Sequence, residues 1–271
     1  MPALIQAMAA IPRHLALRKA AWSCLRQDRP VIIYTPPKSG STSVEAGLAA
    51  ARVPTLKIHF LSDRLEAIEE RWRARGVPLD RHFLASRAVR EALRRGIRPR
   101  FLTMVRDPIA RLASADFQSR RAKGLSHAGA DRHLGRIAGK VAEQAAAPLS
   151  WFREEIAPFG GIDLEAEGFD AARGWQRYQA DHADVLIVKT ARLDGGAEAL
   201  SAFVGAPVRV GRENVRSQSA AAAMYKEVGD RLRLSADAVR QTMDDPLVRL
   251  FFTPEERAAM TARWTRAAEG D

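Results

Sequence analysis

The chain has 271 residues, 46% of them hydrophobic, enough to bury one large core, and no compositional break divides it in two. Lysine and arginine outnumber aspartate and glutamate by 43 to 32, a net charge of +11, so the surface field attracts polyanions without choosing among nucleotides, acidic or sulfated glycans, nucleic acid and an anionic membrane face. The single cysteine, Cys24, excludes an intramolecular disulfide and a four-cysteine metal site, and it agrees with a reducing compartment, with the cytoplasm as the default expectation.

Residues 1–29 read as a helical extension. Pro12 interrupts their apolar stretch and Arg13, Arg18 and Lys19 follow it, so neither a signal peptide nor a membrane span is expected. Leu15, Trp22 and Leu25, with basic residues between them, suit a helix packed on the domain; the alternative is a peripheral contact with an anionic membrane at the inner surface. Residues 30–271 are expected to form a single α/β domain.

Within that domain Val31-Ile32-Ile33-Tyr34 is a short, continuously apolar run of the kind buried on both faces of a parallel sheet, and the helical pattern Val44, Leu48, Ala51 follows its loop. A second strand is expected over 55–60, then helices over 62–75 and 82–95. A third strand, 100–105, runs into Arg106-Asp107-Pro108, where aspartate suits a helix N-cap and proline the first turn. Helical segments are expected over 129–158, a fourth strand over 184–189, and helices near 195–204, 219–234, 235–243 and 254–267. Strands alternating with helices imply a three-layer fold, a central parallel sheet flanked by helices, with a helical C-terminal part. Ligands of such folds gather at the carboxyl ends of the strands.

Two motifs fall at those ends. In Pro36-Pro37-Lys38-Ser39-Gly40-Ser41-Thr42-Ser43 small residues let backbone amides converge on an anion, the next helix presents its positive end, Lys38 adds a full charge, and Ser41, Thr42 and Ser43 offer hydroxyls. This is a phosphate or sulfate cradle. It is not the nucleoside-triphosphatase loop, which carries lysine directly after its last glycine; here Lys38 precedes Gly40 by two. At the third strand, Arg106 is followed two turns into the helix by Ser114, on a face that Arg111 can share, so that an arginine and a hydroxyl can close on one phosphate.

Together the motifs resemble the sulfotransferase superfamily that uses 3′-phosphoadenosine 5′-phosphosulfate (PAPS). The loop PPKSGSTS resembles its 5′-phosphosulfate loop, and VRDPIARLASADF its 3′-phosphate segment, whose arginine and serine map onto Arg106 and Ser114. Lys57-Ile58-His59-Phe60-Leu61, Trp151-Phe152 with Gly161-Ile162-Asp163, Phe169-Asp170 and Phe251-Phe252-Thr253-Pro254-Glu255-Glu256 are similar to the bacterial branch named for capsular polysaccharide synthesis, and the likeness runs over about residues 31–264. It departs at Lys189-Thr190-Ala191-Arg192-Leu193-Asp194, where the family often has Tyr-Glu-Asp-Leu.

The resemblance implies a P-loop-like sheet, PAPS as sulfuryl donor, no metal, and a hydroxyl of a glycan or glycoconjugate as acceptor. Pro37 and the amides of residues 39–43 would hold the 5′-phosphate and Lys38 would reach the bridging oxygen. Gly211-Arg212-Glu213-Asn214-Val215-Arg216-Ser217 is similar to a segment that folds over the nucleotide, so Arg212 or Arg216 is a candidate second cation for the 3′-phosphate. For the base, His59 at the end of the second strand is favoured, because an imidazole's ordinary pKa of about 6.5 suits proton exchange near neutrality. His82 is the reserve, and Glu66 or Glu69 follow because some family members use glutamate. Trp72, Trp151 and Trp175 are candidate sugar platforms or core residues. Two rival classes stand beside this reading. A P-loop kinase or phosphotransferase would need a Gly-Lys-Ser/Thr loop and a strand ending in aspartate, whereas 185–188 ends in Lys189; a non-enzymatic polyanion-binding protein would explain the charge but not two anion motifs at successive strand ends. No specific nucleic-acid partner is expected.

Overall fold

Five strands form the central sheet: β1 (Val31–Tyr34), β2 (Thr55–Ile58), β3 (Arg100–Val105), β4 (Trp175–Ala180) and β5 (Ala183–Lys189). They come from a computed structural model that describes residues 15–76, 79, 81–122, 130–180, 183–211 and 220–265. The order across the sheet is β2-β1-β3-β5-β4. β1 runs parallel to both β2 and β3, with Val31 in register with Thr55 on one side and Arg100 on the other, and β3 runs parallel to β5. β4 lies antiparallel on the outer side of β5.

The chain therefore leaves β1 in one direction to make β2, then crosses back over β1 to make β3. The gap between β1 and β3 is the point where the winding reverses, and in open α/β sheets a crevice forms there outside the carboxyl ends of the strands. That places the loop after Tyr34 and the turn after Val105 side by side.

Period-2 alternation divides the strands between two cores. Ile32, Tyr34, Phe101, Val105, Val185 and Ile187 face one cluster, and Val31, Ile33, Leu102, Met104, Leu186 and Val188 the other. Ile32 and Ile33, both fully buried on opposite faces, each contribute about 2 kcal/mol by leaving water. The second face is covered by α2 (Ser41–Ala50), through Val44 and Leu48, and by α9 (Ala197–Val204), through Leu200, Phe203 and Val204. The first carries α1 (residues 15–25), α4 (Arg81–Arg94), α5 (Pro108–Ala122) and α6 (Ala130–Gln144), together with the C-terminal α10 (Ala220–Arg231), α11 (Ala236–Asp244), α12 (Pro246–Phe251) and α13 (Pro254–Trp264). α3 (Leu65–Ala74) and the one-turn helices α7 (Ala157–Gly160) and α8 (Leu164–Glu167) complete the set. The expected parallel sheet between helices is what the chain adopts except at its edge, where β4 runs antiparallel, and α1 sits on the domain through buried Ala21, Cys24 and Leu25. Among the described residues no helix is long and apolar enough to cross a membrane.

Two expectations differ from what is observed. β4 was not anticipated, since Trp-Gln-Arg-Tyr-Gln-Ala buries only Tyr178 and lacks an apolar run. The helical segments expected over 129–158 are α6, which ends at Gln144 ahead of Pro148, and a π-helical turn, Phe152–Ile156, that runs into α7. β2 stops at Ile58, so His59 and Phe60 lie in the loop beyond it.

Candidate functional site

The loop after β1 is shaped by its own polar side chains. Thr35, fully buried, accepts from the Met104 amide at 3.2 Å through its hydroxyl, which also shares a 2.6 Å hydrogen bond with Ser39 Oγ. Ser39 Oγ lies 2.9 Å from the Pro36 carbonyl, closing the turn from within. The Ser39 side chain is therefore scaffold, which leaves the convergent surface of the loop to the backbone, Lys38 and the first turn of α2. There Ser41 is buried, Ser43 and Pro37 are half-buried and Thr42 is exposed. Its cap residue, Gly40, has φ of 95° and uses no side chain to cap the helix.

Two residues pay for this shape with restricted conformation. Lys38 sits at φ 71°, in the left-handed region, at a cost of about 1–2 kcal/mol that surrounding contacts must offset. One such contact is direct: Arg106 Nη1 donates to the Lys38 carbonyl at 3.1 Å. Gly40 is needed for space as well as for φ, because a methyl there would stand 2.7 Å from Thr190 Cγ2. Thr190, just past β5, donates its hydroxyl to the Ser39 carbonyl at 2.6 Å, with the Val105 carbonyl 3.1 Å away. The ends of β1, β3 and β5 are thereby fastened around one loop.

From β3 the chain turns into α5. Asp107 Oδ1 accepts the amides of Ile109 and Ala110 at 2.9 and 3.1 Å, the expected N-cap, while its Oδ2 accepts Trp264 Nε1 at 2.8 Å and so ties α13 to the same corner. Ser114, two turns on, is buried at 3% exposure; among the described residues no hydrogen bond joins it to Arg106 or the loop. Arg111 was not singled out by the sequence as a site residue, yet burial and the neighbouring charge of Arg106 both pull its guanidinium below the usual arginine range, and its hydrogen bond goes to the Pro148 carbonyl at 3.3 Å. No carboxylate among the described residues pairs with it. Burial beside a second guanidinium raises the positive potential at this strand end.

Beyond β2 the structure brings the two histidines together. Their rings lie 4.6 Å apart, centroid to centroid, inclined at 44°. His59 Nδ1 is 2.7 Å from the Thr35 carbonyl and His82 Nδ1 is 2.8 Å from the Lys57 carbonyl. A carbonyl only accepts, so these contacts assign the hydrogen to Nδ1 in each ring and leave Nε2 as the basic nitrogen of the neutral form. His59 thus hangs from the first residue of the loop after β1. The reserve glutamates are engaged elsewhere: Glu69, 1% exposed, is held by Arg87 and by Arg73 at 3.1 Å, and Glu66 pairs with Arg90 at the surface.

Trp151 spends its indole hydrogen on the His59 carbonyl at 2.7 Å, Trp72 packs on Phe83 with centroids 5.0 Å apart, and Trp175 lies under the Arg173 guanidinium at 4.0 Å. Lys189, at the end of β5, is buried and binds Glu256 and the Ala171 carbonyl, the latter at 2.8 Å. Arg212 and Arg216 lie outside the described residues. Among those described, no group of three or more His, Cys, Asp or Glu is placed to hold a metal ion. No family model, curated protein or solved structure gives a significant match to the chain.

Proposed function

We propose that this chain is a PAPS-dependent sulfotransferase acting on a hydroxyl of a glycan or glycoconjugate. The observation that carries the reading is the hydrogen bond from Arg106 to the Lys38 carbonyl, since it joins the two motifs that a bisphosphorylated nucleotide would need, one for each phosphate, at the switch point of the sheet. The central sheet is then a P-loop-like one whose lysine stands before its glycine rather than after it.

In this reading the amides opening α2 hold the 5′-phosphate, Arg106 and Ser114 take the 3′-phosphate, and Arg111 adds positive potential behind Arg106. The acceptor oxygen attacks sulfur in line with the bond to the bridging oxygen. That bond breaks, 3′-phosphoadenosine 5′-phosphate departs, and Lys38 stabilises the charge that collects on the bridging oxygen. The acceptor's proton passes to Nε2 of His59, whose Nδ1 hydrogen is already committed to Thr35. His82 stands close enough to His59 to take that proton onward. No divalent cation is invoked, because Lys38 and the helix end supply the positive charge. The kinase alternative gains nothing from the end of β5, where Lys189 is buried against Glu256.

Titration calorimetry with 3′-phosphoadenosine 5′-phosphate tests the donor assignment, and incubation with PAPS and a panel of cell-surface glycans, followed by mass analysis, tests transfer. Saturable nucleotide binding that weakens in Lys38 and Arg106 variants is expected. Native protein that fails to bind this nucleotide would end the proposal.

A further inference from the structure

His59 is placed in a loop, where a base is poorly fixed unless something outside the strand holds it. What holds it is the π-helical turn. Trp151, which opens that turn, donates Nε1 to the His59 carbonyl at 2.7 Å. Glu155, 1% exposed, accepts from the amides of Leu61 and Ser62 at 2.8 and 2.9 Å, from Ser62 Oγ at 2.9 Å and from Tyr34 Oη at 2.6 Å. The backbone of His59–Ser62 is thus bound on two sides by one turn of helix, while Tyr34, the last residue of β1, donates to the same carboxylate. Burial, reinforced by the charge of Glu155, pushes the Tyr34 hydroxyl well above its ordinary pKa, so it stays a donor. The Tyr34 and Trp151 rings also pack edge to face, 5.0 Å apart.

A buried carboxylate among neutral donors is a demanding way to hold a loop, since an apolar contact would hold it without desolvating a charge. Its four acceptor positions, however, fix direction as well as position. π-helical turns are rare, and this one brings Trp151 and Glu155 to the same loop four residues apart. We infer that Trp151 and Glu155 are positioning residues for His59, acting through its backbone to keep the Nδ1 hydrogen on Thr35 and Nε2 as the nitrogen that receives the acceptor's proton. The inference rests on the sulfotransferase reading for the purpose of His59, but the placement of the ring is measurable by itself.

The test follows the His59 ring by long-range ¹H–¹⁵N correlation at about pH 8.5, two units above an ordinary imidazole, with the signals assigned by loss in His59→Gln. In native protein one Nδ1–H tautomer is expected. Trp151→Phe retains the ring and removes the donor, Ser62→Ala removes one of the carboxylate's partners, and Glu155→Gln presents an amide NH2 to amide donors. In Trp151→Phe and Glu155→Gln the tautomer-specific ¹⁵N shifts should move toward their averaged values, with a smaller movement in Ser62→Ala. Affinity for 3′-phosphoadenosine 5′-phosphate should stay at the native value in Trp151→Phe and Ser62→Ala. A His59 spectrum left native in folded Trp151→Phe and Ser62→Ala overturns the inference, even where Glu155→Gln fails to fold. Absence of nucleotide binding by the native protein sinks the donor reading instead, and leaves the tautomer result to stand or fall separately.

Discussion

Helix α5 treats charge in opposite ways at its two ends. At the start, Arg111 is buried beside Arg106 and gives its hydrogen bond to the Pro148 carbonyl, and among the described residues no carboxylate pairs with it. Further along, Asp116, 1% exposed, gathers Arg136 Nε at 2.7 Å, Lys140 at 3.0 Å and His133 Nδ1 at 3.3 Å, so both cations share a carboxylate of the protein. His133, itself stacked on Phe117 with centroids 4.5 Å apart, completes a polar plug between α5 and α6. The difference teaches that arginine content alone says little: the Asp116 cluster ties its cations to a carboxylate of the protein, whereas Arg111 is buried beside another cation.

The widest separation of the two regions should come from Lys38→Ala. With the leaving-group charge unsupported, turnover should fall about 10²- to 10³-fold or more while the melting temperature changes little, because Lys38 carries a strained φ rather than a core contact. Steady-state rates with PAPS and an acceptor from the glycan panel would show it; a fully active variant removes Lys38 from the mechanism.

Asp116→Asn should invert that pattern. It leaves Arg136 and Lys140 without their shared carboxylate and should lower stability by about 3 kcal/mol, near the lower bound for breaking a buried pair because both cations are partly exposed. Nucleotide affinity should not change. The pH dependence has a definite sign. Burial alone would raise the carboxyl's pKa, but hydrogen bonds from Arg136 and Lys140 override it and hold Asp116 well below the usual carboxylate range. Since the folded value lies under the unfolded one of about 3.9, its stabilisation is complete above that pH and disappears as pH falls through the folded value. Native protein should therefore lose stability toward acid more steeply than Asp116→Asn, as urea titrations at successive pH values would measure.

Arg106→Gln sharpens the contrast from the other side. If the guanidinium meets the 3′-phosphate, the variant should bind 3′-phosphoadenosine 5′-phosphate about 10- to 100-fold more weakly, and adenosine 5′-phosphate almost unchanged. Equal weakening of both ligands would mean that the change acts only through the Lys38 carbonyl.

Much of this contrast was legible before the fold, and the reasons are local. β1 is apolar throughout and β3 and β5 carry apolar centres, as strands buried on both faces do, and Arg106-Asp107-Pro108 is a helix start whose cap forms as expected. β4 was silent because an edge strand needs only one inward residue, Tyr178. The end of β2 was misplaced by two residues, since Trp151 and Glu155 capture the backbone of residues 59–62, and no pattern in Thr55–Phe60 announces partners about ninety residues away. Glu155 itself gave no signal: a π turn shifts the helical register, so a period of 3.6 does not assign it to an inner face. Arg111 was visible only as a neighbour of Ser114 on a helix face. Its importance comes from burial beside Arg106, which is a tertiary fact. Likewise Lys189 read simply as the wrong residue to organise magnesium, while in the fold it anchors the capping box of α13 through Glu256.

The smallest expected effect tests how the corner keeps its shape. Gly40→Ala introduces two separable strains, a side chain at φ 95° and a methyl 2.7 Å from Thr190 Cγ2. Thr190→Ser removes that methyl yet keeps the hydroxyl that donates to the Ser39 carbonyl, so alone it should be nearly neutral. In combination it should relieve the steric part of Gly40→Ala and leave about 1 kcal/mol, the conformational part. A double-mutant cycle by denaturant unfolding, with nucleotide affinity measured on all four proteins, separates the two. Strict additivity would mean that Thr190 does not set the room above Gly40. Coupling with recovered affinity would show that the end of β5 shapes the same loop that Arg106 holds from β3.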